Sequence, residues 1–140
     1  MKIDHIVYLS YSIEKSIKEF SQFGFVQETE IYIDNIPDEN NSARNVYICF
    51  IKKDNIRVEL VSPIDENSDV YSTIKRQGEG PYHICYQVDN LEDKIRELKS
   101  NGWMVLKRPA KALAFNYARV SFLFKKSVGM IELVEGYTVQ

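Results

Sequence analysis

The feature that most constrains this chain is that it repeats itself once. Asp4-His5-Ile6-Val7-Tyr8 corresponds to Tyr82-His83-Ile84-Cys85-Tyr86, and both read as a short strand carrying His-Ile-x-Tyr. Gly24 follows His5 by 19 residues, and Gly102 follows His83 by 19. Between these landmarks, Ser12 to Phe23 and Leu91 to Asn101 have helical apolar spacing. Ile13, Ile17, Phe20 and Phe23 carry it in one, and Leu91, Ile95 and Leu98 in the other. Each predicted helix stops just before a glycine, the residue that best tolerates the left-handed conformation at a helix C-terminus. Ser12 and Asn90 are the expected N-caps.

Both halves then continue as extended segments. Phe25 to Tyr32 and Trp103 to Arg108 are the next expected strands, followed by Val46 to Ile51 and Arg119 to Phe124. The halves also end alike. Lys52-Lys53-Asp54-Asn55-Ile56-Arg57-Val58-Glu59-Leu60-Val61 answers Lys125-Lys126-Ser127-Val128-Gly129-Met130-Ile131-Glu132-Leu133-Val134, with six residues from the second Lys to the Glu in each. The His-to-Glu separation is 54 residues in the first half and 49 in the second. The excess fits a longer polar loop at Asp34 to Arg44, where Pro, Asn, Asp and Ser cluster. The expected fold is α+β: two βαβββ modules, about residues 1–62 and 81–140, forming a curved mixed sheet around a cleft in a single domain of 140 residues. Residues 63–80 are the expected linker, with a short helix-like piece from Val70 to Arg76.

The chain has only two histidines, and they occupy equivalent places in the repeat. Side chains alternate along a strand, so His5 shares a face with Val7 and Leu9, while Ile6 and Tyr8 share the other. Glu59 lies opposite Val58 and Leu60, and Glu132 opposite Ile131 and Leu133. If the apolar sets pack under the helices, the His and Glu sets point into the concavity of the sheet. A single His on a strand is more often packed in a core than bound to a metal. Four such residues in register with a repeat change that reading, and His5, Glu59, His83 and Glu132 become candidate ligands of one divalent ion. Imidazole and carboxylate suit Zn, Ni, Co, Mn or Fe(II). Two neutral imidazoles and two carboxylates also neutralise a divalent charge, which makes its burial tolerable.

Composition excludes other classes. Eighteen basic residues balance twenty acidic ones, with no basic run longer than two, so no nucleic-acid footprint is expected. No stretch approaches the apolar length of a membrane span, and the N-terminus lacks a signal-like apolar core, so a cytoplasmic protein is expected. Cys49 and Cys85 lie in apolar alternating segments and read as small buried hydrophobes rather than a disulfide framework.

At these residues the chain resembles the vicinal oxygen chelate superfamily, which includes glyoxalase I, methylmalonyl-CoA epimerase, extradiol dioxygenases and bleomycin-resistance proteins. The resemblance runs from Ile3 to Gly136. Glu59-Leu60-Val61-Ser62-Pro63, then Gly78-Glu79-Gly80-Pro81-Tyr82-His83-Ile84, is similar to the epimerase branch and to nearby glyoxalase-I-like proteins, as is Gly129-Met130-Ile131-Glu132-Leu133-Val134-Glu135. The resemblance places the family's metal ligands on His5, Glu59, His83 and Glu132, and makes Glu132 the proton shuttle with Glu59 as its partner. It implies a lyase or isomerase that moves a proton next to a substrate carbonyl through a metal-stabilised enediolate or enolate. The expected substrate is a thioester or a hemithioacetal-like compound, and a homodimer is the expected assembly. Two departures weaken the epimerase assignment. The branch carries an additional Glu before its third strand, followed by Gln-Gly, where this chain has Ala43-Arg44-Asn45. Ala110 to Tyr117 replaces a Gly- and His-bearing loop. Arg44, Arg119 and Lys111 are read as surface charges, with contact to an anionic substrate as the alternative. Tyr8, Tyr86 and Trp103 are read as core. A resistance-type binding protein and an Fe(II) dioxygenase remain the competing functions.

Overall fold

Alternating apolar strands and two amphipathic helices organise the chain as the repeat requires. The structure is a computed structural model and describes residues 1–136. The elements run β1 (Lys2–Leu9), α1 (Ile13–Ser21), β2 (Val26–Gln27), β3 (Tyr32–Asp34), β4 (Val46–Lys53), β5 (Ile56–Pro63), α2 (Tyr71–Gln77), β6 (Gly80–Val88), α3 (Leu91–Ser100), β7 (Met104–Ala112), β8 (Ala118–Lys125) and β9 (Gly129–Glu135). A short 3₁₀ turn at Leu113–Phe115 separates β7 from β8. The class is α+β with mixed sheet, as expected. Among the described residues, no helix is long and apolar enough to cross a membrane.

Contacts divide the chain into two compact units. One holds His5–Pro37 and Asn41–Tyr82; the other holds His83 onward together with Met1–Asp4 and Asp38–Asn40. In the first, β5 pairs parallel with β1 and antiparallel with β4, which in turn pairs with β2 and β3. In the second, β9 pairs parallel with β6 and antiparallel with β8, and β8 pairs with β7. The two patterns are the same.

Each unit closes one face of its sheet with its own helix. Ser12 caps α1 by accepting the Lys15 N–H, and Asn90 caps α3 by accepting the Asp93 N–H. Ile13 of α1 packs with Cys49, Ile51, Val58 and Leu60 of the sheet, with Tyr8, Ile17, Phe20, Phe25 and Ile31 around them. Leu91 of α3 packs with Val88, Leu123, Ile131 and Leu133, with Tyr86, Ile95, Leu98, Trp103 and Val105 around them. Tyr8, Tyr86 and Trp103 are thus core residues, as read from sequence. Gly24 and Gly102 follow the helices at φ 91° and 92°, a conformation costly for any other L-residue. The Lys-Lys motif finds its role here. Lys53 lies against Gly24, and Lys125 lies beside Gly102 with its Nζ donating to the Asn101 carbonyl at 2.7 Å. A cation thus sits at each helix's negative end.

The structure corrects several boundaries. Phe25 to Tyr32 is not one strand: β2 covers Val26–Gln27, and pairing resumes only at β3. In the gap, the Glu28 and Thr29 N–H groups both reach the Phe50 carbonyl. The pairing then runs on to Asp34, the first residue of the expected loop. β7 extends beyond Arg108 to Ala112, past Pro109, across two register shifts against β8. The Lys-Lys alignment also slips by one. Lys53 pairs with Ile56 across a two-residue turn, whereas Lys125 pairs with Gly129 across three residues, with Gly129 at φ 101°. Lys53 therefore corresponds structurally to Lys125, not Lys126.

Leu60 and Leu133 are both fully buried at equivalent positions. Leu60→Ala and Leu133→Ala are each expected to cost about 2–5 kcal/mol in urea denaturation. Losses below about 1 kcal/mol would show that these faces are not packed as described.

Candidate metal centre

The parallel pair in each unit places a histidine and a glutamate on one face. In the first unit Val7 is opposite Glu59, and His5 lies two residues upstream of Val7, hence on the same face. In the second, Cys85 is opposite Glu132, and His83 lies two residues upstream of Cys85. The antiparallel neighbour repeats the correspondence, with Phe50 opposite Glu59 and Phe122 opposite Glu132. Each phenylalanine meets its histidine edge-on, at ring centroid distances of 5.4 Å for His5–Phe50 and 5.5 Å for His83–Phe122.

The structure therefore brings His5 to Glu59 and His83 to Glu132, one pair in each unit. His5 Nε2 lies 3.3 Å from Glu59 Oε1, and His83 Nε2 lies 2.9 Å from Glu132 Oε1. His5 and Glu59 are each 1% exposed, His83 8% and Glu132 4%. Burying these carboxylates costs several kcal/mol unless a cation or hydrogen bonds offset it. The donor set fits a divalent ion. Two ligands in adjacent positions around an ion at about 2.1 Å stand about 3.0–3.4 Å apart, and both Nε2–Oε1 separations lie close to that range.

The first pair has a neighbour that sequence reading undervalued. Arg44, set down as a surface charge, is half-buried, with its Nη1 donating to Glu59 Oε2 at 3.3 Å and its Nε to Asp69 Oδ2 at 3.4 Å. Tyr32 and Asp34 lie on the same face of the sheet, through pairing with Ile48 and Val46. Burial, and then the Glu59 charge, push the Tyr32 hydroxyl far above its ordinary value. Burial also raises Asp34, with Arg44 opposing and Asp69 and Glu59 reinforcing. The available signal was Arg44's place two residues before β4, the strand that carries Phe50. Arg57 also walls this unit's site, lying 4.6 Å over the Phe50 ring while gripping Glu28 at 3.0 and 2.7 Å.

The other two cations serve different ends. Arg119 binds Glu92 at 2.6 and 2.9 Å and Glu135 at 3.0 and 3.1 Å, fastening β8 to α3 and β9. The Lys111 backbone N–H donates to Glu39. Cys49 and Cys85 are buried free thiols, and burial pushes the Cys49 thiol up.

The sequence profile described as Glyoxalase/Bleomycin resistance protein/Dioxygenase superfamily matches residues 4–122. The chain belongs to this superfamily. A Bacillus subtilis relative, the uncharacterized protein YqjC, is 21% identical over 136 residues, covering 96% of this chain and 91% of its own. Mouse mitochondrial methylmalonyl-CoA epimerase is 25% identical over 135 residues, covering 96% of this chain and 71% of its own. Among solved structures, a methylmalonyl-CoA epimerase of Streptomyces coelicolor superposes with a TM-score of 0.80 at 21% identity, covering 100% of this chain and 97% of that one. That likeness carries the fold.

Asp34 offers a pH test. Because the folded protein holds this proton more tightly than the unfolded chain, the side chain's contribution is intact below the ordinary Asp range and is lost as pH rises through the elevated value. Asp34→Asn keeps an oxygen for the Ile36 N–H. It is expected to match wild type at about pH 3 and to exceed it in stability at about pH 7 by chemical denaturation. A difference that does not grow with pH would contradict the assigned burial.

Proposed function

We propose that this protein is a divalent-metal-dependent lyase or isomerase that moves a proton next to a substrate carbonyl, with His5, Glu59, His83 and Glu132 as ligands of one ion. The observation that carries the reading is the duplicated pair. Each unit buries a histidine against a glutamate, in the same register and on the face turned away from its helix. A structural role for one such pair would be unremarkable; the duplication points to a shared charge that both carboxylates serve.

A divalent ion there (Zn, Ni, Co or Mn) would supply Lewis acidity, stabilising negative charge that develops on a substrate carbonyl oxygen. The chain's own residues do the rest. The imidazoles pack edge-to-face against Phe50 and Phe122, which limits their reorientation. Glu132 is the base that takes the proton from the carbon next to the carbonyl, and Glu59 is its partner for returning it. The epimerase relatives favour isomerisation over glyoxalase-type lyase chemistry. The Streptomyces coelicolor epimerase was solved in complex with 2-nitronate-propionyl-CoA, which supports an acyl thioester as the substrate class. The proposal includes a homodimer, supported by Met104 and Leu106, which are 57% and 50% exposed on the edge strand β7.

Metal analysis after purification without added metal is expected to find one ion per chain, lost in His83→Ala. Methylmalonyl-CoA and simpler acyl-CoA thioesters in deuterated water are then expected to gain deuterium at the α-carbon. Glu132→Gln should slow that exchange by about 10²–10⁴-fold. Metal without exchange on any thioester would instead favour a binding protein, and absence of metal would remove the proposal.

A further inference from the structure

Glu59 presents its two carboxylate oxygens to different partners. Its Oε1 lies 3.3 Å from His5 Nε2, and its Oε2 accepts from Arg44 Nη1 at 3.3 Å. The Glu59 side chain is 1% exposed and that of Arg44 22%, so the contact is largely sheltered from water.

The guanidinium is itself fastened. Its Nε donates to Asp69 Oδ2 at 3.4 Å, while the Arg44 backbone carbonyl accepts the Asp69 N–H at 2.9 Å. The next carbonyl, on Asn45, accepts the Ile64 N–H at 3.3 Å, and the Asn45 side chain donates to Asp65 Oδ1 at 2.7 Å. Asn45 adopts a φ of 58°, which asparagine tolerates better than most residues. The residues before β4 are thus tied to the connection after β5 by backbone and side chain alike. Asp34 adds a further acid near the guanidinium. Arg44 is engaged on several sides, and the loop sets its approach to Oε2.

A carboxylate can meet a divalent ion with one oxygen or with both. A guanidinium bears the same sign of charge as the ion, so the two take opposite sides of a carboxylate that they share. An arginine clamped on Oε2 therefore leaves Oε1, the oxygen beside His5, for the ion.

We propose that Arg44 is a positioning residue that holds Glu59 to coordination through Oε1 alone and so keeps one more position open on the ion for substrate. This rests on the reading of His5, Glu59, His83 and Glu132 as a metal centre. Arg44 itself neither binds the ion nor handles a proton.

Water-proton relaxation of the Mn²⁺-loaded protein tests this without turnover, because exchanging water fills each open position. For a six-coordinate ion with four single-atom ligands, wild type is expected to carry about two such waters. Arg44→Met releases Oε2 to the ion and should carry about one. Asp69→Asn, at an exposed position, loosens the guanidinium without removing it and should fall between the two. Glutamine offers a single acceptor oxygen, so Glu59→Gln cannot chelate. That variant should keep about two waters, and adding Arg44→Met to it should change nothing. A merely structural role for Arg44 would shift the count equally with and without Glu59→Gln. That result, or a count unchanged in both Arg44→Met and Asp69→Asn, would overturn the role of Arg44 and leave the metal centre standing. Failure of wild type to take up Mn²⁺ would overturn the metal centre, and this inference with it.

Discussion

Everything in this chain follows from a carboxylate placed in the middle of a strand that is otherwise apolar. Glu59 and Glu132 each sit between residues that pack under a helix, and alternation alone turns them to the opposite face. That face is buried, so each carboxylate needs compensation. Each finds a histidine two positions upstream of its partner on the adjacent parallel strand. The repeat makes this happen twice, which is why the chain reads as a site and not merely as a sheet.

The same arrangement explains how the two units differ. Glu132 is met by His83 at hydrogen-bonding distance, while Glu59 stands further from His5 and has Arg44 on its second oxygen. The first unit is also richer in buried acids, with Tyr32 and Asp34 both pushed toward their neutral forms. The two halves share a backbone plan but not an electrostatic one. The proposed division of labour, with Glu132 as proton acceptor and Glu59 as its partner, builds on that asymmetry.

Much of this was legible without coordinates. The helices, their Ser12 and Asn90 caps, the strand parity and the core assignment of Tyr8, Tyr86 and Trp103 follow from periodicity and short-range chemistry. What failed to show was non-local. The break between β2 and β3 depends on which residues find a partner on β4. The extension of β7 through Pro109 depends on pairing with β8, where register shifts accommodate it. The Lys-Lys slip arises because a two-residue turn and a three-residue turn look alike when only the flanking residues are aligned. Arg44 was misjudged for a similar reason: an arginine in a polar loop reads as solvated until the loop's own anchors, Asn45 to Asp65 and Asp69 to Arg44, are known.

The central claim is that both His–Glu pairs serve a single ion. X-ray absorption spectroscopy at the metal edge of the loaded protein tests it most directly, because imidazole rings leave an outer-shell signature that can be counted. The account predicts two imidazoles per ion, with the remaining inner-shell ligands oxygen at about 2.0–2.2 Å. One imidazole per ion, or a shell of oxygens alone, would mean that the two pairs act apart.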